Sequence, residues 1–148
     1  MKFIYLFILI FFLWGHPKDY DNWYLYYNVE YGWFNPGEAK IKIEKQSILN
    51  EPLFKISVLL KTSEMLDYFY PIRDTIDVWV NKNNFSLFQF QRIINEGNYK
   101  RYTKGIKTIN NNFIINDKDT ISYNGDLFDS ISLIFYPLYI TNKKNDLT

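Results

Sequence analysis

The chain reads as a mainly β protein: a curved antiparallel sheet forming a half-barrel or incomplete barrel, with two short helices against one side. Three observations predict this. Apolar and polar side chains alternate with a period of two in stretch after stretch. Short clusters of Asn, Gly, Asp and Pro separate those stretches. Aromatic residues make up 20% of the chain, and large rings suit the wide interior of a bent sheet better than tightly packed helices. A chain of 148 residues is expected to form one domain with enough material to bury a core.

In the first strand Trp23, Leu25, Tyr27, Val29 and Tyr31 share a face, with Tyr24, Tyr26, Asn28 and Glu30 between them. Residues 32–37 carry turn formers, and Ala39, Ile41 and Ile43 then alternate with Lys40, Lys42 and Glu44 to complete a hairpin. Residues 46–52 are expected to connect it to a third strand, where Phe54, Ile56, Val58 and Leu60 alternate with Lys55, Ser57 and Lys61. Thr62 and Ser63 can cap a helix of barely two turns that Pro71 ends, a plug or lid. The fourth strand puts Ile72, Asp74, Ile76, Val78 and Val80 on one face, so Asp74 falls in the apolar register.

Residues 81–84 form a turn, and residues 85–93 a fifth strand with Phe88, Phe90 and Arg92 on one face. The turn at residues 95–98 contains Gly97, which is free to take a positive φ. Residues 99–109 form a basic sixth strand, with shorter strands at 113–115 and 121–123. A helix then starts at Asp126 or Asp129 with Leu127, Ile131, Ile134 and Phe135 as its apolar stripe, and Pro137 is expected to stop it. Residues 138–141 can re-enter the sheet, and residues 142–148 form a polar, frayed tail.

The N-terminus carries a different signal. Lys2 precedes an unbroken apolar run over residues 3–14 that ends at Gly15, His16 and Pro17. This run is shorter than the roughly 20 residues of a spanning helix and matches the apolar core of a secretory signal. Residues 1–16 are therefore expected to be a signal peptide, with an uncleaved anchor as the alternative because Leu13 and Trp14 stand where small residues are preferred. Residues 17–141 would then be the β-rich domain, without a membrane span in the mature form.

Composition excludes much chemistry. There is no cysteine, so disulfides, thiolate nucleophiles and zinc-thiolate sites are absent. His16 is the single histidine and sits at the processing site, which excludes histidine-based acid-base catalysis and a histidine metal site. No nucleophile-elbow or phosphate-cradling glycine motif occurs. The net charge of +1 gives no reason to expect nucleic acid as a partner. The run Tyr99-Lys100-Arg101-Tyr102-Thr103-Lys104 interleaves basic and aromatic residues, but it is expected to be a solvated strand face. No catalytic residue, metal or cofactor is expected.

The residues that could hold a ligand are Phe54, Ile56, Val78, Phe88 and Phe90, as the lining of an apolar interior, with Arg73, Asp74 and Arg92 as polar groups at its mouth. Asp74 and Arg92 can offset one another's burial by pairing. A plain salt bridge holding two strands in register is the competing reading of that pair, and a helix N-cap is that of Asp129. Tyr24, Tyr26, Tyr27, Trp33 and Phe34 could line a pocket or simply fill the core.

The succession Tyr31-Gly32 with Gly37-Glu38-Ala39, Lys61-Thr62-Ser63, Tyr70 with Ile72-Arg73-Asp74, Glu96-Gly97-Asn98-Tyr99, and Asp129 with Ser132 and Tyr136 resembles the bacterial domain of unknown function 3108 family over roughly residues 20–139. The resemblance implies an exported, β-rich protein of the cell envelope, of the kind found in Bacteroidetes. Its architecture is similar to that of lipoprotein-carrier half-barrels, a likeness of fold alone. Tyr136-Pro137-Leu138 departs from the family's Tyr-Leu-Arg, and further strands are expected of a full-length member, so the chain reads as shortened or truncated. The expected function is non-enzymatic binding of an apolar or amphipathic, lipid-like ligand in the periplasm or outside the cell. The alternative is a structural or interaction module whose partner is another envelope component.

Overall fold

The computed structural model describes residues 23–31, 33–108 and 110–145. The expected leader, the processing site at His16 and residues 146–148 of the expected tail lie outside them. Eight strands follow one another in a single antiparallel sheet whose spatial order is the order of the sequence. They are β1 (Trp23–Tyr31), β2 (Phe34–Ile48), β3 (Glu51–Thr62), β4 (Arg73–Asn81), β5 (Leu87–Glu96), β6 (Tyr99–Lys107), β7 (Asn112–Ile115) and β8 (Asp119–Ser122). Helix α1 (Glu64–Asp67) lies between β3 and β4, and α2 (Ser130–Asn145) follows β8. β1 and β8 do not pair with each other, so the curved sheet is an open half-barrel.

Register turns the alternation within each strand into rows that cross the sheet. One row runs Trp23, Ile43, Ile56, Val78, Phe90, Gly105 and Ile115. The next runs Leu25, Ile41, Val58, Ile76, Arg92 and Thr103. A third joins Tyr27, Ala39, Leu60 and Asp74, and pairs Ile94 with Arg101 farther along. The first row is the heart of the core: Ile43, Ile56, Val78 and Phe90 are buried together with Phe54, Val80, Leu87 and Phe113. α2 covers this region with Phe135 and Tyr139.

Several elements depart from the sequence-based expectation, each for a local reason. The connection expected at residues 46–52 is a two-residue turn, since Ile48 pairs with Glu51. Leu49 and Asn50 both have positive φ (52° and 65°), the backbone of a type I′ hairpin. Leu49 is ill suited to that conformation and is 86% exposed. The double substitution L49N/N50G is therefore expected to stabilise the fold by about 1 kcal/mol, seen as a higher denaturant midpoint with an unchanged slope.

Residues 34–37 belong to β2 rather than to a turn, because a register shift opposite Val29 and Tyr31 absorbs the extra residue beside Pro36. A second shift, at Val80, places Leu87 opposite Val80 and in the core. Phe88 consequently loses the register expected for it and is only half-buried.

The largest correction concerns Pro137, which lies inside α2 instead of ending it. Its ring removes one hydrogen bond, to the carbonyl of Leu133 on the exposed side of the helix. Beyond it, Tyr139 stacks on Phe85 at 5.0 Å and its hydroxyl donates to the Asn83 carbonyl. Residues 138–141 are thus helical and do not re-enter the sheet, and residues 142–145 continue the helix. The buried stripe is Ser132, Phe135 and Tyr139, while Ile134 is 59% exposed.

Candidate functional site

The concave face changes character along its second and third rows. On β1 to β3 it presents Leu25, Ile41 and Leu60, half-buried against the core. On β4 to β6 it presents Ile76, Arg92, Ile94, Arg101 and Thr103. α2 begins only at Ser130 and leaves this corner partly uncovered. A cleft of about 330 Å³ lies there, lined by Ile76, Arg92, Ile94, Arg101, Thr103, Ser130 and Ile131. Its lining holds two guanidinium groups and no carboxylate.

Arg92 is held from two sides. Its Nη2 pairs with the Asp129 carboxylate, and its guanidinium stands 4.8 Å from the centre of the Phe90 ring. Its Nε is buried and has no hydrogen-bond partner among the described residues. Asp129 is itself buried and opens α2 as its N-cap: Oδ1 accepts the Ile131 N–H at 2.8 Å. The Asp129 N–H donates to the Ser132 hydroxyl at 2.9 Å, which donates back to the Asp129 carbonyl at 2.8 Å. Helix start and Arg92 are thereby fixed through one carboxylate. Arg101 is exposed and makes no ion pair among the described residues.

Of the residues expected to hold a ligand, Arg92 alone lines this cleft. Phe54, Ile56, Val78 and Phe90 are packed inside the core and line no part of it. Phe88 stands apart from them for the register reason given above. Asp74 and Arg92 share the concave face without pairing, because each has a nearer partner. Asp74 Oδ1 accepts the Asn95 N–H at 2.8 Å, and Arg92 has Asp129. Tyr24, Tyr26, Tyr27 and Trp33 are 71%, 57%, 43% and 94% exposed, so they do not fill the core.

Arg73 works elsewhere, at the α1 loop. It pairs with the Asp67 carboxylate, with one hydrogen bond at 2.8 Å, and the Thr62 hydroxyl donates to the same carboxylate while accepting the Ile72 N–H at 2.9 Å. Ser63, the expected cap, makes no side-chain capping bond. α1 buries none of its residues, so it does not plug the interior.

The hydrogen bond from Arg73, and after it that from Thr62, holds the Asp67 carboxyl at about 2, below the ordinary value near ~4. A depressed carboxyl stabilises the fold fully above its unfolded pKa and loses that contribution as pH falls through the folded one. Acid unfolding of the wild-type chain is therefore expected to steepen between about pH 4 and 2. D67N should remove that step, as followed by tryptophan fluorescence.

Residues missing from the sequence-based set are Ile76, Ile94, Arg101, Thr103, Ser130 and Ile131. Among the described residues no cluster of three or more His, Cys, Asp or Glu side chains could hold a metal ion. No helix among them is long and apolar enough to cross a membrane.

The family described as protein of unknown function DUF3108 matches residues 26–146, nearly all of the sheet and all of α2. The chain belongs to that family. The DUF3108 match runs through Pro137 to the end of α2, so the departure at Tyr136-Pro137-Leu138 does not cut the helix short. Comparisons with curated proteins and with solved structures found no match.

Proposed function

We propose that this chain is an exported, non-enzymatic binding protein of the cell envelope that holds an apolar or amphipathic, lipid-like ligand on the concave face of its half-barrel. The observation that carries the reading is the cleft of about 330 Å³ between β4–β6 and the start of α2. That volume is at the lower end of the range for small-molecule sites. From Ile76 the row continues through the buried Val58 to the half-buried Ile41 and Leu25, which gives an aliphatic chain apolar contacts at the edge of the packed core. Export is supported by Lys2 and the apolar run over residues 3–14.

Native mass spectrometry of gently purified protein, with solvent extraction of the same sample, tests the binding reading. A bound amphiphile is expected. Protein that carries nothing and takes up no neutral lipid dye would sink it. Export is tested by fractionation of a C-terminally tagged chain, and retention in the cytoplasm would contradict it.

A second reading, an interaction module without a small ligand, is favoured by one other observation. Trp33, Tyr68 and Phe69 are 94%, 87% and 75% exposed, and the β1–β2 and β3–β4 connections that carry them lie at the same end of the sheet. Exposed rings in one region are a common mark of a contact surface. Co-purification of an envelope component that Y68S/F69S abolishes would favour this reading over the carrier.

A further inference from the structure

We infer, building on the carrier reading above, that the ligand is a single-chain amphiphile with an anionic head, and that Arg92 and Arg101 receive that head at the cleft while its tail lies across the strands. The polar end of the cleft has only cationic and neutral groups: Arg92, Arg101, Thr103 and Ser130. Arg92 commits Nη2 to Asp129 and leaves Nε buried with no acceptor among the described residues, an arrangement that costs stability. Arg101 brings a second guanidinium to the same cleft from β6, with no acid of its own among the described residues. Two guanidinium-bearing residues lining one cleft match the acceptor pattern of a carboxylate or phosphate.

The direction of the tail follows from register. From Arg92 the second row runs back through Ile76, Val58, Ile41 and Leu25, one from each of β4, β3, β2 and β1. Neighbouring strands are about 4.8 Å apart, so the row spans roughly 19 Å from Arg92 to Leu25, with the half-buried Ile76 next to the charge and the half-buried Ile41 and Leu25 beyond the buried Val58. A small free anion would use the arginines and leave this strip idle; a neutral lipid would use the strip and leave the arginines idle. An anionic amphiphile uses both.

The test is titration of the full chain with dodecanoate, dodecanol, inorganic phosphate and the neutral dye Nile red, for the wild type and R101Q. Arg101 is exposed and outside the core, so R101Q should fold normally. Dodecanoate is expected to bind the wild type at least tenfold more tightly than dodecanol, and R101Q to erase roughly tenfold of that preference without changing dodecanol binding. I41D, which places a charge in the tail row, should weaken both dodecyl ligands. Equal affinity for acid and alcohol, or an R101Q chain that binds dodecanoate as the wild type does, would overturn the anionic head. Phosphate binding as tight as that of dodecanoate would overturn the amphiphile in favour of a free-anion site. Failure of Nile red and both dodecyl ligands to bind would instead refute the carrier reading itself.

Discussion

Gly105→Ala is expected to destabilise the fold by about 2–3 kcal/mol, and Gly105→Val by more, even though both replacements favour strand backbone. Gly105 sits in β6 between Phe90 and Phe113, whose rings stack at 5.7 Å with an interplanar angle of 12°. A Cβ at Gly105 would lie 2.3 Å from Phe113 Cε1 and 2.5 Å from Phe90 Cε1. Both rings are buried, with 1% and 8% exposure, so neither can swing into solvent. The strand must bow or the rings must leave their rotamers, and either opens the first row of the core. For a domain of this size the loss in Gly105→Ala corresponds to a fall in Tm of roughly 10 °C. The diagnostic control is F90L, which is expected to cost the wild type stability but to recover part of it in the Gly105→Ala background. Additive losses in that pair would show that the rings do not meet at Gly105.

The strands were legible because a period of two survives wherever one face is buried more deeply than the other. β3 is the clearest case: Phe54, Ile56 and Val58 are buried while Lys55 and Ser57 lie on the other side with Asp77, which Ser57 meets at 2.6 Å and Lys55 at 3.3 Å. What alternation does not encode is the turn chemistry between strands. Leu49-Asn50 lacks the glycine that usually announces a type I′ turn, and the bulge at Leu87 and Phe88 has no residue signature at all. α2 outruns its expected end for a related reason. A proline read alone ends a helix, but the anchor that carries α2 past Pro137 is Tyr139 on Phe85 and Asn83, a contact between residues far apart in sequence.

The site was less legible than the fold. Arg92 stood out as a charge in an apolar register, and it does line the cleft. Its partner did not stand out, since Asp74 and Asp129 are equally acidic in sequence and only the fold decides which carboxylate is nearer. Arg101 was masked by its neighbours: in a run of exposed basic and aromatic residues nothing distinguishes the one whose side chain turns to the concave face. Register alone supplies that, by setting Arg101 against Ile94 and Thr103 against Arg92. Phe54, Ile56, Val78 and Phe90 illustrate the reverse error, for rings and branched chains that could line a hollow are the same ones that fill it.

Asp129→Asn should lower stability while raising affinity for the anionic ligand, a pair of opposite signs that a merely structural salt bridge would not give. The asparagine keeps an oxygen for the Ile131 N–H and so preserves most of the cap. It removes the charge that Arg92 faces, and because Asp129 is buried while Arg92 is about a third exposed, the expected cost is about 1–2 kcal/mol, below that of a fully buried pair. Asp129→Ala forfeits the cap as well and should cost about 3 kcal/mol. R92M/D129N, which removes both charges, is expected to be more stable than the sum of its single variants implies, since neither partner is left uncompensated. With Asp129 neutral, Arg92 no longer divides its charge between the helix start and the cleft. Dodecanoate is then expected to bind several-fold more tightly to D129N, and dodecanol unchanged. Denaturant titration and ligand titration of one sample read both signs. Weaker dodecanoate binding in a folded D129N chain would assign the Arg92–Asp129 pair to positioning the arginine rather than to competing with the ligand for it.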